Sequence, residues 1–527
     1  MKKNANLMAN GYALPIVLSI IVAFTIILGA ATQLVVSNLN LAGNNVSSQK
    51  ALNISEAGIN YYLWHLSHNP TDYRDGKTTP STPDAQLGYG PYVHNYLDVA
   101  GNVVGTYTLW IKPDSSSSTS VTVRSIGKEA KSGFVRTIQA QIGAPSFASY
   151  ALVADVPVWF GNTEVSHGPV HSNIGIRMDG SSDSVISSAN ATYVPPNNLG
   201  GDGSSHSGVW CHSSVTTPVN CNSRPKTDWV FPQPAIDFNQ VTSSLCTIKK
   251  QAFSANAATS SLATQSNACS QVPSTRTASY LPQRSTSYSV NKGYLIQLNN
   301  NGKYDLYYVN GENDTKTPYT SALTLAALAT DITIPSNGVI FAEDNVWVRT
   351  NPTFAGRLTI GAGRLASSSV DAQIVIAGDV KYSTKNGSDA LGLIAEGDIT
   401  IAPYASPATG SFDFEIDGAL LAQTGSVIYP GSYRNASSNC TRGWTGSNQT
   451  FTFYGSVATR QTWTWTWLNG YSQCGDASRD NSSGRYISGV LNNSTQYDYN
   501  LKYSPPPSYP VTSTYNILSW REIITRP

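Results

Sequence analysis

Two histidines have a spacing that could support metal binding. His167 and His171 lie four residues apart in the segment Ser166–Asn173. On an extended strand both side chains would point to one face about 13 Å apart, too far for one metal unless the Gly-Pro corner between them folds. Hydrogen bonding at a turn is therefore the favoured interpretation, and metal binding is the alternative.

Several carboxylates fall mostly at turns between predicted strands, and a polysaccharide-cleaving enzyme needs clustered carboxylates as its acid and base. They are Glu343, Asp344, Asp379, Glu396, Asp398, Glu415 and Asp417. Acidic residues also occur at turns for structural reasons, because they hydrogen-bond the turning backbone. The sequence contains no nucleophile elbow, HExxH, Walker or dinucleotide-binding motif. We therefore expect no enzyme activity, no catalytic residue, no cofactor and no metal site.

The segment Leu298–Asp305 is rich in side-chain oxygens and faintly resembles a calcium loop. It carries Asn where acidic ligands are expected and has no terminal Glu. Because β-forming residues flank it on both sides, a β-hairpin is the favoured interpretation and calcium binding the alternative.

An apolar run from Tyr12 to Val36 must position everything that follows it. The run has no charged residue, and as a helix it would extend about 37 Å, enough to span a bilayer. Lys2 and Lys3 are the only charges before Lys50, so we expect a single-pass membrane protein with its N-terminus in the cytoplasm and the rest of the chain exported. A secretory signal cleaved near Gly29-Ala30-Ala31 and a plain anchor are the alternatives.

The junction Asn10-Gly11-Tyr12-Ala13-Leu14-Pro15 resembles the class III leader of type IV pilins and their minor-pilin relatives. The resemblance implies that a prepilin peptidase cuts after Gly11 and leaves Tyr12 as the new N-terminus. Ile16 stands where major pilins carry a Glu, so the resemblance points to a minor subunit.

The segment Gln49–Ile59 contains the block Ser55-Glu56-Ala57-Gly58 and resembles the stretch in which the helix of PilX-type minor pilins leaves the membrane. An apolar stripe at helical offsets continues to residue 66 and predicts packing on a β layer; its members are Leu52, Ile59, Leu63 and Leu66. Pro70 is expected to end the helix. Glu56 by itself is interpreted as a solvated helix position.

The remaining composition is that of an exported, β-rich protein. Charged residues make up 12% of the 527 residues, about half of the usual share, and the net charge is +1. This charge balance gives no sign of a basic surface for nucleic acid, so we expect no nucleic acid as a partner. The six cysteines contain no CxxC pair, which argues against zinc and favours disulfides. Neighbour pairing gives Cys211–Cys221, Cys246–Cys269 and Cys440–Cys474, although six cysteines allow fifteen pairings.

Period-two alternation predicts three antiparallel strands at Gly105–Ile111, Ser120–Ile126 and Phe134–Ile142, after a hairpin turn at Ala100–Asn102. With the emerging helix they would form a small pilin-like α+β head. Beyond residue 147 a strand, a small residue, a polar corner and a second strand recur. Aligned on one alanine, the units contain Ala154, Ala342, Ala377, Ala395 and Ala422. This repeat predicts a parallel β-helix or related solenoid, with a β-sandwich as the alternative, and resembles an uncharacterised ectodomain family attached to PilX-like N-termini.

Three tryptophans alternate with threonine in Thr462–Trp467. A strand would place Trp463, Trp465 and Trp467 on one face, either as a cap over the end of the β region or as an exposed platform for sugars or a partner subunit. The cap is the favoured interpretation.

The expected fold is mainly β with five segments. They are a leader (1–11), a transmembrane pilin-like helix (12–69), an antiparallel meander (70–146), a β-helix-like ectodomain with a disulfide-stapled insertion at about 200–330 (147–440), and an aromatic-rich C-terminal β region (441–527). Functionally, the resemblance implies a structural minor pilin at or near a filament tip or in assembly initiation. It would be held in the bacterial cytoplasmic membrane by residues 12–36, with its C-terminal ectodomain exported to the pilus or cell surface. Its partners would be other pilins, the assembly machinery and prepilin peptidase, with surface glycans as a further candidate. The alternative is a membrane-anchored carbohydrate-binding adhesin or polysaccharide-active β-helix protein unrelated to pili.

Overall fold

The chain forms one long N-terminal helix followed by a mainly β protein, as seen in a computed structural model. The structure describes residues 13–523 except 70–71, 114–119, 144, 218, 285–291, 313–322, 367–369, 403, 406–411, 430–448, 469–486, 491–492, 503 and 513–514. These residues divide into two compact units. The first comprises the described residues of Met1–Pro113, Val121–Ile142 and Ile517–Pro527, and the second those of Asp114–Ser120 and Gly143–Asn516.

The helices are α1 (Ala13–His68), α2 (Gln240–Ser254) and α3 (Ser260–Ala263). The strands are β1 (Tyr89–Leu97), β2 (Val103–Pro113), β3 (Ser120–Glu129), β4 (Val135–Gly143), β5 (Leu152–Ala154), β6 (Val158–Phe160), β7 (Val165–Ser166), β8 (Val170–Ser172), β9 (Ile176–Met178), β10 (Ser181–Ser182), β11 (Ile186–Ser188), β12 (Thr192–Tyr193), β13 (His206–Ser207), β14 (Val209–Trp210), β15 (Trp229–Val230), β16 (Tyr280–Leu281), β17 (Gly293–Asn299), β18 (Lys303–Glu312), β19 (Leu323–Thr333), β20 (Val339–Ala342), β21 (Asn345–Asn351), β22 (Arg357–Ala362), β23 (Ile374–Ile376), β24 (Ala390–Ala395), β25 (Ile399–Ile401), β26 (Phe412–Ala422), β27 (Val427–Ile428), β28 (Gln449–Thr459), β29 (Trp463–Thr464), β30 (Thr466–Leu468), β31 (Ile487–Gly489), β32 (Asn493–Tyr497) and β33 (Asn516–Ile523).

In the first unit, the C-terminal third of α1 packs on an antiparallel sheet with strand order β1-β2-β3-β4-β33. The three predicted strands are present as β2, β3 and β4, and β1 precedes them across a turn in which Gly101 has a φ of 85°. Strands β2 and β3 alternate between buried and half-buried residues, since one face covers the helix. The addition of β33 from the far end of the chain was not predicted.

The buried stripe of α1 is close to the predicted one. Ile59 and Leu66 are buried as expected, whereas Leu52 and Leu63 are only half-buried. Ile54 and Tyr62 are buried in their place, because the contacting face of the helix is rotated slightly from the leucine stripe. The helix ends at His68, in agreement with the expected end before residue 70.

In the second unit, successive strands from β20 onwards belong alternately to two large sheets. Strands β20, β22, β24, β26 and β28 belong to an 11-stranded sheet, while β21, β23, β25, β27 and β29 belong to an 8-stranded sheet. Within each series every strand pairs in parallel with the next one but one along the chain. The antiparallel strands β18 and β19 extend the second sheet beyond β17.

The aligned alanines largely share one register. Residues at equivalent positions of neighbouring strands pair in one column. The pairs join Ala342 to Ala362, Ala362 to Ala395, Ala395 to Ala422, Ala422 to Thr459 and Thr459 to Ala154. Ala377 was placed wrongly in the alignment, because it follows β23 in the other sheet and Ala362 occupies the position in this column. The column also shows that β5 stacks on β28 although about 300 residues separate them in sequence.

Both faces of the 11-stranded sheet are covered, which explains its nearly continuous apolar strands. One face shares a core with the 8-stranded sheet and includes Ile360 and Leu393. The other face packs against α2 through Leu245 and Ile248, with Phe341 from the sheet in the same cluster. The insertion that carries α2 thus completes the core of this unit.

Candidate functional site

The N-terminal part of α1 is an uncovered apolar surface. Residues 14–46 are exposed, and large apolar side chains occur on every side of this part of the helix. The helix is long and apolar enough to cross a membrane by length and composition. A helix that is apolar all round is buried in a core, in lipid or against other helices.

Three hydroxyl groups of this apolar segment are satisfied within the helix. The hydroxyl of Ser19 donates to Pro15 O at 2.7 Å, and those of Thr25 and Thr32 donate to carbonyls three and four residues earlier. Such back-bonding removes the cost of placing a hydroxyl in an apolar medium. The segment therefore suits an environment without water.

Small residues allow the C-terminal third of α1 to approach the antiparallel sheet closely. Ser55 is fully buried, and a Cβ on Gly127 in β3 would lie 2.9 Å from the Cα of Ser55. Glu56 is exposed, in line with its interpretation as a solvated position. In the packing of α1 on the sheet, the small residues of the Ser55–Gly58 block therefore make the contact and the acid does not.

Four charged or titratable side chains and Tyr61 form a clamp of hydrogen bonds at the C-terminal end of α1. His65 Nε2 lies 3.0 Å from Asp72 Oδ2, and His94 Nε2 lies 2.7 Å from Asp75 Oδ2. The hydroxyl of Tyr61 donates to Asp75 Oδ1 at 3.0 Å. Burial opposes ionisation of Asp72, but backbone N–H groups and His65 outweigh it and lower the pKa of this carboxyl. The clamp fixes the loop after α1 onto the helix.

The histidine pair of the second unit makes separate hydrogen bonds. His167 Nδ1 lies 2.7 Å from Asp183 Oδ2, whereas His171 Nδ1 lies 3.0 Å from Ser187 Oγ. Burial lowers the pKa of His171. Within the described ranges, no group of three His, Cys, Asp or Glu side chains is arranged to hold a metal.

Most of the corner carboxylates bind backbone N–H groups of neighbouring turns. Asp379 accepts from Glu415 N at 2.9 Å, Asp398 from Ser426 N at 2.7 Å, and Glu396 from Arg364 N at 2.6 Å. Each bond links turns 28 to 36 residues apart. Acids at turns that hydrogen-bond the backbone were expected on structural grounds, and these contacts are of that kind. The segment Leu298–Asp305 likewise lies in the antiparallel hairpin β17–β18.

Among the described residues there are two disulfides, Cys211–Cys221 and Cys246–Cys269, and both match neighbour pairing. The second ties α2 to the short helix that follows α3, next to the core of the insertion. Cys440 and Cys474 lie outside the described residues, as do Gly11 and Tyr12 of the proposed processing site.

The Trp-Thr segment bends instead of continuing as one strand. Trp463 lies in β29 of the 8-stranded sheet, Trp465 lies between β29 and β30, and Trp467 lies in β30, which pairs with β31. Trp465 is 4% exposed and packs on Phe451 with ring centroids 5.3 Å apart. The expectation of one straight strand with three tryptophans on one face was therefore wrong for this segment.

A cavity of about 480 Å³ lies beside this bend and was missed by sequence reasoning. Trp159 and Phe160 of β6 and the turn residue Glu164 line it together with Trp463 and Trp465. The two groups of residues are about 300 positions apart. Sequence reasoning singled out Trp463 and Trp465 through the Trp-Thr alternation but did not connect them with the aromatic pair Trp159-Phe160.

The fold and the helix define a mainly β protein with an N-terminal helix suited to anchoring in a membrane. No protein-family model and no curated protein matches the sequence. Among solved structures, a match is the competence-associated pilin ComZ from Thermus thermophilus, at 13% identity and a TM-score of 0.27, covering 90% of this chain and 98% of that one. A likeness this distant carries no functional argument, so function is inferred from the chain's own residues.

Proposed function

We propose that this chain is a structural minor pilin of a type IV pilus-like filament. The observation that carries the proposal is α1, one continuous 56-residue helix whose N-terminal part is uncovered and apolar and whose C-terminal part packs on an antiparallel sheet. Before assembly the helix would lie in the cytoplasmic membrane, and during assembly it would exchange lipid for helices of other pilins. The leader-like junction at Gly11 supports the same role.

The proposed topology has the N-terminus in the cytoplasm and both folded units outside. Lys2 and Lys3 before the apolar run support this orientation, and the disulfides suit an oxidising compartment. A tip or initiating position is proposed because a second unit of this size would be awkward to fit into every subunit of a shaft. Immunogold labelling along the whole filament would contradict the tip position.

For the second unit we propose a β-helix-like coil, in which the alternating strands of the two sheets are successive sides of each turn. The parallel column from Ala342 to Ala154 supports it. We also propose that this head has no enzymatic role; in support, most of its corner acids accept from backbone N–H groups.

Processing at Gly11 tests the pilin proposal. Co-expression with a prepilin peptidase should remove residues 1–11 from the intact chain, and mass spectrometry should find Tyr12 at the N-terminus. Gly11→Leu should retain the leader, while Gly29→Leu, which lies in the alternative signal-cleavage site, should be processed normally. A wild-type chain that keeps its leader in cells with an active peptidase would favour the unrelated membrane-anchored adhesin.

A further inference from the structure

A contact between Lys249 and Glu343 brings an amine and a carboxyl group together inside the second unit. Lys249 lies on α2, and Glu343 directly follows β20. Lys249 Nζ contacts Glu343 Oε1, and the two side chains are 0% and 2% exposed. Lys249 is the only buried lysine among the described residues. Contact with a carboxyl oxygen places the amine within about 3.5 Å of the carboxyl carbon, the separation of a near-attack arrangement.

The surroundings of this pair favour its uncharged form. The rings of Phe253 and Phe341 cover the amine, with centroids 5.9 and 5.7 Å from Lys249 Nζ. Burial lowers the pKa of Lys249 and raises that of Glu343 to about 7, while the charge of Glu396 is a smaller cause that raises both pKa values. Proton transfer from the ammonium to the carboxylate therefore costs less here than in water. It gives the two forms that can react, a free amine and a carboxylic acid.

Two further hydrogen bonds position the reacting atoms. Lys249 Nζ donates to Cys269 O at 2.7 Å, and the hydroxyl of Tyr280 donates to Glu343 Oε1 at 3.2 Å. An amide between the two side chains would keep both bonds, because its N–H retains one proton for Cys269 O and its oxygen accepts from Tyr280. The amide would therefore satisfy its buried polar groups and remove two buried charges, which are costly to keep in a protein interior.

We propose that Lys249 and Glu343 condense to an isopeptide bond that fixes α2 to the end of β20. The lone pair of Nζ attacks Cδ of the protonated Glu343 while the hydroxyl of Tyr280 holds Oε1. The Nζ–Cδ bond forms and the Cδ–Oε2 bond breaks, and Oε2 leaves as water with the acid proton and one proton from Nζ. The ion pair is the state before this reaction. Bond formation does not depend on whether α1 enters a filament.

The test is peptide mapping of the full chain, purified in detergent, reduced and digested with trypsin. Trypsin does not cleave after an acylated lysine, so residues 227–250 should be recovered joined to residues 317–349, about 18 Da lighter than the two peptides together. Fragmentation should place the bond between Lys249 and Glu343. Lys249→Met should abolish the joined peptide. Lys250→Met is the matched control on the same helix, because it removes the neighbouring amine, and it should keep the link.

Recovery of residues 227–249 and 317–349 as separate wild-type peptides would overturn the proposal and leave the pair as an ion pair. The exposed pair Lys303–Asp331 is an internal control in the same digest and should remain unlinked. A bond there as well would show that condensation occurs during preparation without the buried geometry, and would also overturn the proposal. If Lys249→Met fails to fold, the wild-type peptides decide the matter by themselves.

Discussion

Gly58 of α1 lies directly against Ser125 of β3, with no room for a side chain between them. A Cβ at position 58 would overlap Ser125 Oγ and would lie 2.9 Å from Cδ2 of Tyr107. Helix and sheet touch here through their smallest residues, which permits the close packing of the buried stripe of α1. The contact explains why the Ser55–Gly58 block ends in glycine.

Replacing Gly58 by alanine is therefore expected to destabilise the first unit. Overpacking of a rigid contact costs about 1–3 kcal/mol, more than the gain in helix propensity. Gly43→Ala is the matched control on the same helix, because nothing lies within 4 Å of a Cβ there. Hydrogen exchange should accelerate in β2, β3 and residues 51–66 of Gly58→Ala only. Equal protection in the two variants would show that the contact can relax.

The features that could be predicted from sequence are those with a local period. Helix α1 and strands β2 to β4 have apolar positions at offsets of three, four or two, so their existence follows from the residues within each segment. The partner of Gly58 could not be predicted, since Ser125 is 67 positions away and carries no signal of the contact. The addition of β33 to the same sheet is equally non-local.

In the second unit, too, the features with a local pattern were predicted and the non-local ones were not. The alanine repeat indicated parallel strands, but the two sheets alternate along the chain, so Ala377 and Ala362 were indistinguishable by pattern alone. The Trp-Thr alternation predicted one strand, whereas Trp465 turns into the core between Phe451 and Phe453. Burial of a large ring therefore outweighed the strand pattern at this position.

A buried ion pair anchors α2 to the 11-stranded sheet. The ammonium of Lys249 contacts the carboxylate of Glu343, and both side chains are almost completely buried. Lys249 also donates to Cys269 O at 2.7 Å. Burial lowers the pKa of Lys249 and raises that of Glu343 to about 7, while each charge partly offsets the shift of the other.

Lys249→Met should destabilise the second unit by about 3–5 kcal/mol, because it leaves a buried carboxylate without its cation. The double variant Lys249→Met/Glu343→Gln should recover part of this loss. Lys303→Met is the control, since its pair with Asp331 is solvent-exposed and should be worth less than about 1 kcal/mol. Urea unfolding of these three variants and of Glu343→Gln alone gives the four values that the comparison needs. A double variant as unstable as the sum of its single variants would mean that the two charges are not coupled.

The disulfide Cys246–Cys269 is expected to stabilise the insertion. It closes a loop with a sequence separation of 23, for which the chain-entropy estimate is about 3 kcal/mol. Cys246→Ala/Cys269→Ala should therefore expose the amides of α2 to hydrogen exchange. Cys211→Ala/Cys221→Ala, with a separation of 10 and with both residues outside the apolar cluster around α2 as described, is the comparison and should leave α2 protected. Exchange of α2 in both double variants would indicate general unfolding instead.

Asp417 gives the second unit a stability that depends on pH. The carboxyl is buried, accepts from Tyr382 N at 2.8 Å and lies 3.0 Å from Lys385 Nζ, which also contacts Glu415. Burial, with the charge of Glu415 as a further cause, raises the pKa of Asp417 to about 7. Because the folded state binds this proton more tightly than the unfolded chain, the contribution is fully present below about pH 4 and is lost as pH rises through about 7.

Asp417→Asn cannot titrate, so its unfolding temperature relative to the wild type should rise between pH 5.5 and pH 8. We expect a relative change on the order of 2–4 °C in thermal unfolding scans of the intact chain. Glu415→Gln is the companion variant, because it removes a neighbouring charge that raises the pKa of Asp417 but leaves that carboxyl titratable. Its pH profile should resemble that of the wild type displaced to lower pH. Parallel profiles of Asp417→Asn and the wild type across this range would show that Asp417 keeps the same protonation state in the folded and unfolded chain.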